Sequence, residues 1–283
     1  MRKVFPEIIE KLMNKDKKIF CLLGDIGIFS FRNIFKRFND RILNMSTMEQ
    51  TMLGFGAGLS KAGFIPIIHS ITPFLILRAL EQIKIDFVYN KLPCNIVSVG
   101  ASNDYSKLGT THHCFEDISI LSNYKDVNLF LPSNPNEFKH LFEKNYKNKS
   151  VNYFRISGNV EKKPIKKNSF IINKKNKKLI IIVGNSINSE TFTNKKVDLY
   201  YINSIKRKMN FKFLKRYKNI VIIEPYYGSI LERKIRSNNF LKIKILSIGY
   251  DETIVHKYGT KLIQDKYLKF NKENILKKIN EFK

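Results

Sequence analysis

The chain has 283 residues, 43% of them hydrophobic and 22 of them Phe, enough to fill the cores of one large or two medium domains. No apolar run reaches the roughly 20 residues of a membrane-spanning helix, and the first residues lack the apolar centre of a signal peptide, so a cytoplasmic protein is expected. Cys21, Cys94 and Cys114 are too scattered for a disulfide framework or a zinc site, and the formal charge of +27 follows no single helix face, which argues against nucleic acid and leaves anionic substrates or an acidic partner.

Apolar residues at 4, 5, 8, 9, 12 and 13 predict a helix over Val4 to Asn14, and the unbroken apolar run Ile19 to Leu23 predicts a buried strand. Asp25 reads as a strand-end residue and Ser30 to Asp40 as an irregular basic segment. A short strand at Arg41 to Leu43 precedes a helix from Thr47 to Lys61. Then come a strand at Phe64 to His69, a helix at Pro73 to Tyr89, and a strand at Asn95 to Val99. A polar loop, Gly100 to His113, follows at a strand end, where ligands of such sheets tend to sit. A helix from Cys114, a strand at Val127 to Leu131, a helix from Asn134 and a strand at Val151 to Ile156 complete the first unit.

Residues 158–178 are rich in Lys and Asn, hold one short apolar cluster, and read as a basic linker. Beyond them the alternation resumes: strands at Leu179 to Val183, Val197 to Ile202, Ile220 to Glu224 and Ile243 to Ile248. Helices are expected after Asn185, near Phe211 to Tyr217, after Gly228 and from Lys272. The expected fold is α/β in two domains, 1–157 and 179–283, each a mostly parallel sheet flanked by helices.

One stretch, Arg41 to Gly63, concentrates the chemistry. Glu49 stands at a helix start and is followed by Gly54, Gly56 and Gly58, whose small size would admit close backbone or a flat ring. The run Ser46-Thr47-Met48-Glu49 is also a Ser-x-x-Glu capping box, so spacing alone leaves Glu49 as either a cap or a catalyst.

The motifs, taken in order, resemble the C-terminal half of transketolase. That family opens a helix with Asn-x-Gly-Ile-Ala-Glu-Gln and continues Met-x-Gly-x-Ala-Ala-Gly-Leu-Ala; Asn44 to Ser60 here reads NMSTMEQTMLGFGAGLS. Pro73-Phe74-Leu75, Arg78 and Glu81-Gln82-Ile83 match its Pro-Phe-Leu, Arg and Glu-Gln-Ile. Gly109-Thr110-Thr111-His112-His113 is similar to Gly-Pro-Thr-His-His, with Glu116-Asp117 behind it. Leu131-Pro132-Ser133 and Ile223-Glu224-Pro225 with Gly228 are similar to later strand ends. Gly-Ile-Ala before the acid is replaced by Ser46-Thr47-Met48, and Leu108 stands where full transketolases often carry Asp.

The resemblance implies one subunit of a split transketolase, a pyrimidine-binding domain followed by the small C-terminal domain. It implies a transferase that moves a two-carbon ketol unit between sugar or sugar-phosphate substrates on thiamine diphosphate. The family's N-terminal half, which holds the diphosphate and Mg²⁺, would be a separate partner subunit, in a heterodimer or an α₂β₂ assembly. Glu49 would be the acid that activates the cofactor's aminopyrimidine. Phe74, Leu77 and Met48 would flank that ring. His112 would act near the reacting carbon, and His113 and Arg78 would contact substrate. A 2-oxo acid dehydrogenase β subunit and a 1-deoxyxylulose-5-phosphate synthase-like subunit share the acid-bearing helix and stay open, as does a non-catalytic basic protein that serves in binding or assembly.

Overall fold

The structure is a computed structural model that describes residues 1–158, 169–172, 176–192, 195–206, 209–237 and 243–282. From the amino end, α1 (Val4–Lys15), β1 (Ile19–Leu23), α2 (Ile28–Arg37), β2 (Ile42–Asn44), α3 (Glu49–Lys61) and β3 (Ile65–Ile71) follow in turn. Next come α4 (Leu80–Gln82), set between two π-helical segments (Phe74–Arg78 and Ile83–Tyr89), then β4 (Cys94–Val99) and α5 (Asp117–Leu121). After these lie β5 (Val127–Phe130), α6 (Pro135–Asn145) and β6 (Val151–Ile156). The segment expected to be irregular, 30–40, is largely α2. Phe31, Ile34 and Phe38 recur at helical spacing and are buried, a signal diluted by the Arg and Lys residues between them.

The second part contains β7 (Ser169–Ile172), β8 (Lys178–Val183), β9 (Asp198–Ile202), β10 (Ser204–Ile205) and β11 (Asn219–Tyr227). It ends with α7 (Ile230–Arg236), β12 (Lys244–Tyr250), α8 (Lys261–Tyr267) and α9 (Lys272–Glu281). Strand β7 falls within the stretch expected to be linker and pairs antiparallel with β9; the rest of that stretch up to residue 175 lies outside the described residues. The helices expected after Asn185 and near Phe211 are only 3₁₀ turns, Ser189–Phe192 and Lys212–Arg216. Helix α8 carries no sequence signal because its large apolar residues, Leu262, Ile263 and Tyr267, face solvent.

Two sheets result, ordered β10-β5-β6-β4-β3-β1-β2 and β12-β11-β8-β9-β7. All described pairings are parallel except β10 on β5 and β7 on β9. Register places Leu43, Leu22, Ile68, Ile96, Tyr153 and Leu129 in one row across the first sheet, on the face that packs against Met52, Leu53 and Ala57 of α3. One residue further along, Leu23, His69, Val97, Phe154 and Phe130 form the row on the opposite face, against α1, α2 and α6. Burial on both faces is why these strands read as continuous apolar runs. No helix among the described residues is long and apolar enough to cross a membrane.

The two sheets share their polar contacts. Arg155, on β6, is 3% exposed; its Nε donates to Asp117 Oδ2 at 2.7 Å, and its Nη2 donates to the Ser102 hydroxyl and to the Pro225 carbonyl of β11. Asn103 donates to Asp265 Oδ1 and accepts from Lys261 Nζ, which ties the loop after β4 to α8.

Candidate active site

Alternation along β3 decides what surrounds Glu49. His69 turns to the α1 face, where its Nδ1 lies 2.7 Å from the Val97 carbonyl oxygen and the Phe5 ring packs on it at 4.7 Å. Burial pushes its pKa down to about 4, so the ring is neutral and Nδ1 donates. Ser70, the next residue, therefore points to the α3 face. Its hydroxyl lies 3.0 Å from Glu49 Oε1 and 3.3 Å from the Gly24 carbonyl oxygen. A Cβ on Gly24 would stand 2.7 Å from that hydroxyl, so only glycine at the end of β1 leaves room for it.

Glu49 is the first residue of α3 and only 1% exposed. The capping box does not form: no side chain caps this helix, and Ser46 sits outside it with a left-handed backbone at φ +56°. The loop before α3 is instead held by Asn44, whose Oδ1 accepts from the backbone N–H groups of Asp25 and Ser46. Freed from capping, the Glu49 carboxylate turns inward to Ser70 and to Arg78, whose Nη1 donates to Oε2 at 2.7 Å. A carboxylate in a first helical turn is also favoured by the helix dipole. Of the three nearby glycines, Gly56 alone is in tight contact, since a Cβ there would lie 2.8 Å from Ile68 Cδ1. It seats α3 on the sheet and faces no ligand space.

The turn Phe74–Arg78 follows β3 and brings two more side chains to the same spot. The Arg78 guanidinium lies over the Phe74 ring, 4.4 Å from its centroid, and the edge of His112 meets Phe74 at 5.2 Å. Thr111 Oγ1 is 3.0 Å from His112 Nδ1, and Tyr105 approaches the imidazole at 6.3 Å. Glu49, Arg78, Phe74 and His112 thus form one chain of contacts at the carboxyl ends of β1, β3 and β4, where ligands of parallel sheets bind.

The other candidates lie differently. Met48 and Leu77 are exposed beside the cluster. His113 is 6% exposed and turned away, its ring against Phe115 at 5.9 Å. Burial, with the nearby His112 and Lys261 charges, holds its pKa below the usual histidine range. Ser70 and Tyr105 were missed in the sequence, although a His-Ser pair closing an otherwise apolar strand is a readable signal for the first.

The loop carrying His112 is braced by residues 255–264 of the carboxy-terminal part. Gly109 has φ +79°, and a Cβ there would fall 2.6 Å from the ring of Tyr258. The Thr110 hydroxyl donates to the Val255 carbonyl, and Gln264 Nε2 donates to the Ser106 and Lys257 carbonyls. Among the described residues no group of three or more His, Cys, Asp or Glu is arranged to hold a metal ion.

Residues 1–159 match the family profile of the transketolase pyrimidine-binding domain. The chain is 32% identical over 123 residues to a subunit of the apulose-4-phosphate transketolase of Actinobacillus succinogenes, a match covering 44% of this chain and 40% of that protein. It is 23% identical to 1-deoxy-D-xylulose-5-phosphate synthase of Halothermothrix orenii, covering 93% of this chain and 45% of that one. It thus spans less than half the length of these two curated relatives. Among solved structures, a split-gene transketolase described as an inactive β4 tetramer superposes with a TM-score of 0.83 at 17% identity, over 99% of this chain and 97% of the other. Transketolase of Campylobacter jejuni superposes at 0.80 and 14% identity, over 98% of this chain and 46% of that enzyme. The chain has the mixed α/β transketolase fold, and it belongs to the transketolase pyrimidine-binding domain family.

Proposed function

We propose that this chain is the β-type subunit of a thiamine-diphosphate-dependent enzyme that transfers a two-carbon ketol unit between sugar substrates, and that it works with a separate N-terminal subunit. The observation that carries this reading is the single cluster of Glu49, Arg78, Phe74 and His112. These residues fit one end of the cofactor: a buried carboxylate for a ring nitrogen and a partly exposed aromatic face for a flat ring. The diphosphate and Mg²⁺ are assigned to the partner subunit.

When bound, thiamine diphosphate supplies a nucleophilic carbon that accepts and releases the ketol unit. Glu49 exchanges a proton with the aminopyrimidine nitrogen, held in place by the Ser70 hydroxyl. Phe74 offers its face to the ring, with Met48 and Leu77 as flanking apolar surface. His112, with its ring fixed edge-on against Phe74, moves a proton at the substrate's oxygen; a histidine titrates in the range this requires. Arg78 is assigned to an anionic group of the substrate, in keeping with the basic chain. His113, buried and turned away, is given the lesser role of supporting the loop.

The named relatives act on apulose 4-phosphate and, in Clostridium, on 6-deoxy-6-sulfo-D-fructose, both as transketolase subunits. The match to 1-deoxy-D-xylulose-5-phosphate synthases over 93% of the chain supports a second reading, condensation of pyruvate with a sugar phosphate on the same site. The test is co-expression with the N-terminal transketolase subunit of the same genome and assay with thiamine diphosphate and Mg²⁺, using ketose donors in one arm and pyruvate in the other. Transfer from a ketose that is lost in Glu49→Ala is the expected result. Undiminished transfer in that variant sinks the mechanism, and turnover of pyruvate alone selects the second reading.

A further inference from the structure

Arg78 already makes the contacts that the reading above gives to the cofactor's aminopyrimidine. Its Nη1 donates to Glu49 Oε2 at 2.7 Å, and its guanidinium carbon lies over the Phe74 ring, 4.4 Å from the centroid. A guanidinium and an aminopyrimidine are alike in what such a place selects: both are flat, delocalised, and edged with N–H donors suited to a carboxylate. The other carboxylate oxygen is engaged by Ser70, whose hydroxyl is wedged against Gly24. Glu49 therefore has one oxygen to offer a ligand, and Arg78 holds it.

Access follows the same logic. The Glu49 side chain is 0% exposed, whereas the Arg78 side chain that covers it is 44% exposed. Arg78 ends the π-helical turn begun by Phe74, and its long stem can swing outward without moving backbone. We infer that in the unpartnered subunit the Arg78 guanidinium stands in the place of the aminopyrimidine, closing the pocket over Glu49 and Phe74, and that a ligand ring enters only by displacing it.

This inference rests on the cofactor reading above but makes a separate prediction. Thiamine carries the aminopyrimidine without the diphosphate, so it probes this end of the site in the full chain alone. In calorimetric titration, Arg78→Met binds thiamine about tenfold or more tightly than the native chain. That is the scale of losing one cation–π contact and one half-exposed ion pair to a competitor. The gain disappears in Arg78→Met combined with Glu49→Gln. Millimolar guanidinium chloride reverses it, and sodium chloride at equal ionic strength does not. Arg78→Lys, which keeps the charge that Glu49 faces but not the flat group, gives a smaller gain and covers the case in which Arg78→Met does not fold.

Equal or weaker thiamine binding in the folded Arg78 variants overturns the inference, as does a gain that survives Glu49→Gln. Failure of the wider reading looks different. A tenfold gain in thiamine affinity without ketol transfer in the reconstituted complex removes the assigned reaction and leaves the Arg78 plug standing; transfer without any gain does the reverse.

Discussion

Two buried side chains titrate in opposite directions over the same range. Burial raises the Glu224 pKa to about 7, against the Ser247 hydroxyl at 3.2 Å, and lowers that of His69 to about 4. The folded chain binds the Glu224 proton more tightly than the unfolded chain. Stability from this group is therefore full below about pH 4.5 and is lost as pH rises to about 7. His69 resists protonation when folded, so its contribution is full above about pH 6.5 and is lost as pH falls to about 4. Each effect amounts to about 3 kcal/mol, and in the native chain they largely offset. Relative to the native chain, Glu224→Gln should gain stability as pH rises from 4.5 to 7, and His69→Gln should gain as pH falls across the same window. Melting temperatures of the three proteins at successive pH values check this; parallel curves would contradict it.

At the scale of elements, the loop bearing His112 depends on residues 255–264, which contact it from the carboxy-terminal part. Gly109→Ala places a methyl group in a left-handed backbone position at φ +79° and against the exposed Tyr258 ring, which can turn aside; the backbone strain then shifts the turn. A displacement of about 1 Å at His112 would lower the proposed ketol transfer, assayed with the proposed partner subunit, by about a hundredfold. Circular dichroism of the variant, expected to stay native, separates this from general unfolding. The parallel strands of both sheets were readable from sequence because two-sided burial writes them as plain apolar runs, whereas the two antiparallel additions, β7 and β10, were not. The short helices were not: α2 hides its buried Phe31 and Ile34 among basic residues, and α8 exposes the residues that would have marked it. Likewise, Glu49 and His112 could be picked out by motif. The Ser46 to Glu49 spacing suited a cap equally well, and only the left-handed turn at Ser46 and the uncapped start of α3 show that no capping box forms.

Across the whole molecule, Arg155 ties the first sheet to the second. It faces Asp117 with neither side chain more than 2% exposed, and it reaches the Pro225 carbonyl of β11. Replacing one member of such a pair leaves the other charge buried and alone, which costs about 3–5 kcal/mol. Arg155→Met should lose that much stability to urea. It should also split a single unfolding transition in two as the sheets part; a single transition with unchanged midpoint would contradict this.

Strand β10, only Ser204 and Ile205, joins the first sheet antiparallel to β5 and hides the backbone of Leu129 and Phe130. A lender some fifty residues beyond the first sheet's own last strand thus finishes its border. Cut at residue 157, the amino-terminal part would keep every residue of the cluster around Glu49 yet present a raw strand margin to its neighbours. Such margins recruit further strands, so that fragment should self-associate through β5 and return to a monodisperse form when a Lys is introduced at Asn128, the half-buried position of that strand. Sedimentation of the fragment with and without Asn128→Lys measures how far the first sheet relies on borrowed backbone to stay unassociated.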